Sequence, residues 1–447
     1  MFGLTKNIRK TTALILTALC VFSVSGCGGE EEVELEEGSY KTIPMTNEKG
    51  DVVTDEVGNT VFETIPLESR PVTNDAGEEV YDEQGVLVTE YFDPNEKPPE
   101  IVYKVGFVYG DTMSEGATHV SFEAARSQLE KTLGLETCYI ENVLVGDFPE
   151  AVNTLQDDGC NIIVACSPKF ASSVDKETRS GSMTYFLSFG GTGTSSTSSS
   201  FGGELYQTAA VCGMAAAYNT DNNCIGVVSD PGEYNAYGVI DGFTLGTLEV
   251  LKLSQADVRV NWAWSTDHDE IEAAVDDLIA QGCDVIMSYM ESDHAARYCE
   301  QKGIKVVANC GDLPEVAPEN YISGFYFNFS TYIVDEVRAI VNDNYNPRKY
   351  SGDIGAGMVR LVDFGSAARE GTEEICAKYY DYIKSGQAKV FTGEIKNSDG
   401  KIMVEKGQSL DFTNIIDINW FVQSVRKLGA FTEVIDNPVS SDFVIKR

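Results

Sequence analysis

The chain has 447 residues, of which 43% are hydrophobic, and this is enough apolar material for two medium-sized domains with ordinary cores. Its net charge is −37, from 70 acidic and 33 basic residues. A surface this acidic repels phosphate backbones and anionic lipid headgroups, so the composition argues against nucleic acid and anionic membrane surfaces as partners.

Residues 1–26 have the layout of a secretory signal peptide. Lys6, Arg9 and Lys10 precede a largely apolar run, 11–24, that is too short to span a bilayer comfortably. The run leads into VSGC, which resembles a bacterial lipobox. On that resemblance Cys27 is the mature amino terminus and carries acyl chains, palmitate among them, which anchor the protein to the extracytoplasmic face of the cell membrane. The alternative is an ordinary signal peptide in which Cys27 has no role.

Residues 27–100 are interpreted as an acidic spacer, with 21 acidic and four basic residues between 28 and 100. Two stretches, 46–63 and 73–90, repeat each other after a shift of 27 residues. Turn residues separate short β-prone runs in both, which predicts two hairpin-like repeats without a core of their own. A proline-bearing linker, 93–100, follows. We interpret the region as a stalk; binding to peptidoglycan or to a partner is the alternative.

From residue 101 to about 435, strand-like and helical patterns alternate, and residues 436–447 form a C-terminal tail. Ten strands are predicted near residues 104, 138, 161, 183, 224, 257, 284, 304, 321 and 358. Helical patterns of ten or more residues lie between many of them. This alternation is typical of βαβ units, so the predicted fold class is α/β with parallel sheets.

Two pairs of segments within residues 101–435 are similar in sequence. VGFVYGD at Val105 is similar to IGVVSDP at Ile225, and LQDDGCNIIVACS at Leu155 is similar to LIAQGCDVIMSYM at Leu278. This similarity predicts two similar lobes, the first mainly 101–220 and the second mainly 221–325. The rest of the body, up to about residue 435, is expected to cross between them. Ligands bind beyond the carboxyl ends of parallel strands, so two facing lobes form a cleft that closes by hinge motion.

Nine cysteines follow Cys27, and most lie in apolar strand-like or helical stretches. The sequence contains no CxxC pair, so a zinc site is not predicted. We interpret the cysteines as small buried hydrophobic side chains.

Three stretches of the body resemble the basic membrane protein (BMP) family of substrate-binding lipoproteins, which supply nucleoside ABC importers. They are 390–425, with Gly393, Asp399, Gly400 and the sequence NWFV at 419–422; 262–270 with the following LIAQGCDVI; and 204–216. The resemblance runs from about 105 to 425 and excludes 28–100. It implies a type I periplasmic-binding-protein fold, with two Rossmann-like lobes, a ligand cleft between them and three chain crossings.

The ligand shell departs from the family pattern more than the scaffold does. Ser114 and Ala117 stand where the family has an aspartate and a stacking aromatic residue, and His119 or Phe122 is the alternative source of that ring. The family's Tyr-x-x-Asp element survives only as CGDL, which retains Asp312.

The resemblance implies a monomeric, lipid-anchored binding protein of an ABC importer, with permease subunits as partners and no cofactor or metal. Its ligand is expected to be small and neutral, a purine nucleoside or a related nucleobase compound. The alternative is a ligand-sensing lipoprotein that signals to a membrane receptor. An enzyme is not predicted, because the sequence lacks a nucleophile elbow, an HExxH motif and an aspartate cluster with metal-ligand spacing.

Nucleosides present a flat base, which stacks on aromatic rings for about 1–3 kcal/mol, and sugar hydroxyls, which bind carboxylate or amide oxygens. The predicted strand ends supply both kinds of side chain. The predicted ligand-binding residues are His119, Phe122, Ser167, Phe170, Phe189, Tyr234, Tyr289, Glu291, Asp312, Tyr326 and Asn328. The alternative for the rings is a place in the core or at the rim, and for Glu291 a helix cap near Ser292.

Two further features concern charge and mobility in these loops. Lys169 is the one basic residue there, which disfavours a highly anionic ligand such as a nucleotide. The segment 189–203, FGGTGTSSTSSSFGG, lacks the pattern of a phosphate-binding loop. Its composition favours a mobile cleft or hinge loop.

Overall fold

The computed structural model describes residues 40–47, 52–54, 59–72, 79–81, 86–92, 101–110, 117–179, 183–264, 267–428 and 443–447. The predicted signal peptide and Cys27 lie outside these residues. The chain divides into two compact units, with the boundary between Ile101 and Val102. Within the described ranges, no helix combines the length and apolar character needed to cross a bilayer.

The described residues of the first unit contain four short strands, which form two antiparallel pairs. They are β1 (Tyr40–Pro44) with β2 (Phe62–Pro66), and β3 (Glu68–Pro71) with β4 (Thr89–Phe92). Each pair of strands is accompanied by a closed ring of three backbone hydrogen bonds, in which each of three residues donates its N–H to the carbonyl of another. The first ring is formed by Met45, Val53 and Val61, and the second by Val72, Val80 and Val88. Many of the apolar side chains here are exposed. Backbone hydrogen bonds, more than a hydrophobic core, therefore hold each repeat together.

The second unit alternates strands and helices along most of its length. Its first half contains β5 (Lys104–Val108), α1 (His119–Leu133), β6 (Glu136–Ile140), α2 (Phe148–Asp157), β7 (Ile162–Ala165), α3 (Ala171–Arg179), β8 (Tyr185–Phe189), β9 (Ser198–Gly203), α4 (Tyr206–Asn219), β10 (Cys224–Ser229) and α5 (Ala236–Val250). The next elements are β11 (Asp257–Trp262), α6 (His268–Ala280), β12 (Val285–Tyr289), α7 (His294–Lys302), β13 (Lys305–Asn309), α8 (Leu313–Val316), β14 (Tyr321–Phe327) and α9 (Ser330–Val341). The last are β15 (Lys349–Gly352), β16 (Val359–Val362), α10 (Thr372–Lys384), β17 (Ile395–Lys396), β18 (Ile402–Val404), α11 (Phe412–Ile415) and β19 (Val425–Lys427).

Two sheets form the centres of two lobes. The first lobe has the strand order β6-β5-β7-β8-β9-β15, with every neighbouring pair parallel. The second has the order β19-β11-β10-β12-β13-β14-β16, parallel except at β14–β16. The first five strands of each lobe therefore follow one pattern, in which the second strand lies outside the first, as in doubly wound α/β folds. The predicted α/β class is confirmed, and so are the two similar lobes that the internal sequence similarity predicted.

Between residues 102 and 428, the described part of the chain crosses between the lobes at three places, as the family resemblance implies. The crossings follow β9, β14 and β15. After the first crossing, α4 packs on α5 and α10 and so belongs to the second lobe. The predicted first lobe, mainly 101–220, therefore extends too far by the length of this helix. A further connection is formed by the C-terminal residues. The strand β19 pairs with β11 of the second lobe, whereas Lys446 forms an antiparallel bridge with Tyr139 of the first.

Only residues 190–197 of the Ser/Gly-rich segment 189–203 form a loop, as the composition predicted, and the rest belongs to strands. The segment contains the end of β8 and all of β9, and Ser199 in the middle of β9 is fully buried. The small residues are needed because other side chains occupy the space beside them. An added Cβ at Gly202 would lie 2.1 Å from the Tyr234 hydroxyl, and one at Gly203 would lie 2.8 Å from Val359.

The helices α4 and α5 approach each other through glycines. A Cβ on Gly213 would lie 1.9 Å from the carbonyl oxygen of Phe243, and a Cβ on Gly246 would lie 1.8 Å from that of Ala210. The obstacles are backbone atoms of the facing helix, which do not rotate away as a side chain does. The core of the second lobe therefore depends on the absence of side chains at these two positions.

Candidate functional site

A cavity of about 180 Å³ lies between the two lobes, at the carboxyl ends of their strands. Its wall in the first lobe follows β5, β6 and β7 and consists of Gly110, Val143, Leu144, Val145, Ser167, Lys169 and Phe170. Its wall in the second lobe follows β11 and β12 and consists of Trp264, Asp267 and Glu291. Open parallel sheets bind ligands at such strand ends, so this cavity is the candidate site.

A group of charged and polar side chains joins the lobes beside this cavity. Lys169 Nζ lies 3.0 Å from Asp230 Oδ2 and 3.8 Å from Glu291 Oε2. The Ser167 hydroxyl donates to Glu291 Oε1 at 2.6 Å. Glu233 lies close enough to these carboxylates for their charges to influence it. We call these five residues the interlobe ion cluster. Because Ser167 and Lys169 belong to the first lobe and the three acids to the second, the cluster favours lobe closure.

The three acids of the cluster are buried, and burial affects the pKa of Lys169, Glu291 and Glu233. Burial opposes the charge of Lys169, but Glu291 and Asp230 outweigh it and raise the pKa of that ammonium. Burial raises the pKa of the Glu291 carboxyl, although Lys169 and Ser167 counteract part of the effect. Burial, followed by repulsion from Glu291 and Asp230, raises the pKa of Glu233 well above its usual range. Among the described residues, Glu233 Oε1 has no hydrogen-bond partner.

Glu233→Gln is expected to reduce the loss of stability between pH 5 and pH 8. A carboxyl group whose pKa is raised by folding stabilises the protein below its unfolded pKa of about 4.3, and this contribution disappears as pH rises toward the folded value. The neutral amide removes that dependence, and we expect the variant to gain about 1–2 kcal/mol over the native protein at pH 8. Thermal unfolding at both pH values measures the difference. The exposed Glu249→Gln is the matched control, and equal pH slopes in all three proteins would contradict the assignment.

Aromatic rings from both lobes pack together next to the ion cluster. Phe122 stacks on Phe329 at 4.1 Å between ring centroids, and Phe189 lies 5.2 Å from Tyr234 and 5.2 Å from Phe327. We call these five residues the aromatic cluster. It borders the Lys169 loop, because Pro168 and Tyr234 both pack against Gly190. Three predicted ligand-binding residues, Phe122, Phe189 and Tyr234, therefore lie together, with their rings packed on one another.

The structure distributes the other predicted residues over several places. Ser167, Phe170 and Glu291 line the cavity. His119 is buried at the start of α1, with its ring 4.6 Å from that of Tyr109. The hydroxyl of Tyr289 donates to the backbone carbonyl of Tyr234.

The remaining three predicted residues lie near the ends of β13 and β14: Asp312 follows β13, Tyr326 is the penultimate residue of β14, and Asn328 follows β14. Asp312 accepts a hydrogen bond from the Cys310 thiol at 3.0 Å. The ring of Tyr326 lies against Gly311, next to Asp312 in the chain. Asn328 is at the second crossing, where its amide donates to the Gly357 carbonyl at 3.2 Å. These contacts place them at strand ends but not in the wall of the cavity.

Sequence reasoning missed several members of the site. Asp230 directly follows the buried strand β10, and the sequence prediction did not include it. Trp264 and Asp267 follow β11; the Asp267 side chain also accepts from the backbone N–H of Glu270 and caps α6. Lys169 was noted as a lone base but not as an interlobe ion-pair partner. Ser114 lies outside the described residues.

A larger cavity, of about 400 Å³, lies elsewhere in the second unit. Its wall includes Glu204 and Tyr206, just after the first crossing, and Phe412 from α11. It does not contain strand ends from both sheets. The smaller cavity is the better candidate because both lobes build it at the position where parallel sheets bind ligands.

Comparison with known proteins identifies the family of the chain. The sequence model of the Bmp family, described as "ABC transporter substrate-binding protein PnrA-like", matches residues 102–386. A purine-binding protein of Brucella abortus is 24% identical over 327 residues, which are 72% of this chain and 92% of that protein. The family match stops before the closing stretch 390–425, on which much of the sequence resemblance rested.

Two solved structures have the same fold. A solute-binding protein of an ABC transporter system from Aeropyrum pernix K1 superposes with a TM-score of 0.55 at 11% identity, covering 66% of this chain and 93% of that chain. One from Conexibacter woesei has a TM-score of 0.53 at 11% identity, covering 64% and 98%. At these identities the likeness establishes the fold alone, and it confirms the predicted two-lobed arrangement.

Proposed function

Because this chain belongs to the Bmp family of PnrA-like substrate-binding proteins of ABC transporters, we propose that it captures a purine nucleoside or a related nucleobase compound between its lobes. Family membership makes it an extracytoplasmic protein with a small-molecule ligand and permease partners. Members of this family are substrate-binding proteins and not enzymes. The proposal adds the chemical class of the ligand and its place in the fold.

The observation that carries the proposal is the interlobe cavity at the strand ends. Phe170 and Trp264 bring aromatic surface to it from opposite lobes, which suits a flat base. Glu291 and Asp267 bring carboxylate oxygens, which suit the hydroxyls of a sugar. The purine-binding relative from Brucella abortus, which matches over most of its length, supports a purine among the possible flat ligands.

The charges in the cavity favour a neutral ligand. Within the described residues the cavity wall contains one cation, Lys169, and Asp230 and Glu291 already neutralise it. A phosphate group would have to displace these carboxylates and would meet their repulsion. We therefore propose a nucleoside in preference to a nucleotide.

The size of the cavity requires the lobes to move. Its volume of about 180 Å³ is smaller than the roughly 300–1,000 Å³ of pockets that enclose small molecules. We expect the three crossings to act as the hinge, because short segments between rigid lobes absorb the backbone rotations of domain closure. We propose that the lobes separate to admit the ligand and close again through the interlobe ion cluster.

Calorimetric titration of the full chain with inosine, guanosine and adenosine, next to free bases and sugars, tests the ligand class. We expect saturable binding of at least one nucleoside at one site per chain, and chromatography should recover it unchanged. Glu291→Gln should weaken that binding about tenfold or more, because bonds to a charged acceptor contribute about 1.5–3 kcal/mol, whereas Glu249→Gln should not. Saturable binding of a sugar or an amino acid alone would overturn the purine assignment.

We extend the proposal to the amino terminus. The basic head, the apolar run and the VSGC sequence support a lipid on Cys27, which would keep a monomeric receptor beside its permease. Mass spectrometry of the amino-terminal peptide from cells that export the protein tests this. An acylated Cys27 is expected, and a mature chain that starts elsewhere would contradict it.

A further inference from the structure

Each lobe contains one pair of buried cysteines whose sulfur atoms touch. Cys138 Sγ lies 3.3 Å from Cys160 Sγ in the first lobe, and Cys224 Sγ lies 3.0 Å from Cys283 Sγ in the second. All four are thiols in this structure and are at most 6% exposed. The sequence prediction of small buried side chains therefore holds, but it did not reveal the pairs, whose members are 22 and 59 residues apart.

The two lobes present one member of each pair through the same turn. Cys160 follows Gly159 at φ 90° and Cys283 follows Gly282 at φ 93°, after α2 and α6 respectively. The backbone N–H of each cysteine donates to a leucine carbonyl at the end of its helix. A positive φ of this size strains any residue except glycine, so the turn is specified by sequence in both lobes.

The partner thiols lie on strands of the two sheets, one in the middle of its strand and the other at its start. Cys138 is the third residue of β6, in register with Gly106 of the neighbouring strand β5. The sulfur of Cys160 reaches Cys138 over Gly106, which has no side chain. A Cβ added to Gly106 would lie 3.2 Å from that sulfur. Cys224 is the first residue of β10. Cys160 and Cys283 lie just before β7 and β12, so both pairs lie away from the carboxyl ends of the strands, where the ligand cavity is.

A cation accompanies each pair. The hydrogen bond from Cys160, together with the charge of Lys104, lowers the pKa of Cys138 against the effect of burial. The hydrogen bond from Cys283, together with the charge of Arg259, lowers the pKa of Cys224 in the same way. A thiolate is the species that attacks a disulfide, so the cysteine of lowered pKa is the member of each pair that attacks when local opening exposes the pair.

We propose that the two pairs are disulfide sites, Cys138–Cys160 and Cys224–Cys283, which form by exchange with a small-molecule or protein disulfide outside the cytoplasm. The thiolate of the first cysteine attacks one sulfur of the oxidant and releases one thiolate from it. The second cysteine, once deprotonated, attacks the resulting mixed disulfide and releases the other. Each pair loses two protons and two electrons, and the oxidant disulfide is reduced to two thiols.

Geometry separates these four cysteines from the rest. No hydrogen bond joins any two of the other five cysteines in the described ranges: Cys166, Cys212, Cys299, Cys310 and Cys376. A bond in either pair needs the sulfurs to move about 1 Å closer, to about 2.05 Å. Closing these loops restricts the unfolded chain, so reduction is expected to lower the melting temperature by about 5–10 °C.

Non-reducing peptide mapping of the full chain tests the proposal. The folded protein is equilibrated with oxidised glutathione, its remaining thiols are alkylated in denaturant, and the digest is analysed by mass spectrometry. We expect two cross-linked peptide pairs, 138 with 160 and 224 with 283, and a lower melting temperature after reduction. This mapping uses the unsubstituted chain, so its result does not depend on any variant folding.

Single substitutions sharpen the assignment. Cys138→Ser should remove one cross-link and Cys224→Ser the other, whereas Cys299→Ser, a buried thiol outside the pairs, should keep both. Full alkylation of all four cysteines after treatment with the oxidant would overturn the proposal. Cross-links that join other cysteines would overturn it equally. Ligand binding does not enter either readout, so the result is independent of the proposed nucleoside function.

Discussion

Lys169→Ala is expected to weaken ligand binding by about 100-fold or more and to open the unliganded lobes. The substitution leaves Asp230, which is fully buried, and Glu291 without their cation. Removal of one partner from a buried ion pair costs about 3–5 kcal/mol, and each 1.4 kcal/mol is about tenfold in affinity. The cost falls on closure, because separation of the lobes returns both carboxylates to water.

A charge-free variant distinguishes this explanation from general damage. This triple variant combines Lys169→Met, Asp230→Asn and Glu291→Gln, and so removes the cation together with its partners. Replacing all members of a buried ion pair costs far less stability than removing one member and leaving the other charged. Small-angle scattering without ligand should show a larger radius of gyration for Lys169→Ala than for the triple variant or the native protein. Equal radii, together with unchanged affinity in calorimetry, would contradict the role of the cluster.

Gly213→Ala is expected to destabilise the protein by about 3 kcal/mol or more, or to prevent folding altogether. In an ordinary helix this substitution gains about 1 kcal/mol. Here the new Cβ would lie 1.9 Å from the Phe243 carbonyl oxygen, so α4 and α5 must separate and their contact is lost. The steric cost exceeds the gain in helix propensity.

Denaturant unfolding, or soluble yield if the variant does not fold, measures this effect. Gly311→Ala is the matched control, because a Cβ there meets the Tyr326 ring at 3.5 Å, an ordinary contact. The control should stay within about 1 kcal/mol of the native protein. A Gly213→Ala variant as stable as the control would show that α4 and α5 do not pack as described.

Ten strands of the second unit were accessible from the sequence for a simple reason. Buried parallel strands read as short apolar runs, and all ten runs are strands in the structure, including KVGFV at 104–108 and VIMSY at 285–289. The strand β9 was missed because its sequence, SSSFGG, has the composition of a flexible loop. Its burial depends on Tyr234 and Val359, which come from distant parts of the chain and leave no local signal.

The candidate site was only partly accessible. The strand-end rule identified Ser167, Phe170 and Glu291, which do line the cavity. The pairing of Lys169 with Asp230 was not predictable, because the two residues are 61 positions apart and belong to different lobes. The aromatic residues were recognised by type, but their packing against one another depends on how the lobes meet.

A crystal structure of the full chain with a bound nucleoside tests the central claim most directly. We predict electron density for an intact nucleoside between the lobes, with the base near Phe170 or Trp264 and the sugar within hydrogen-bond distance of Glu291. Saturable binding accompanied by density outside the interlobe cavity, or by a cleaved ligand inside it, would contradict the account.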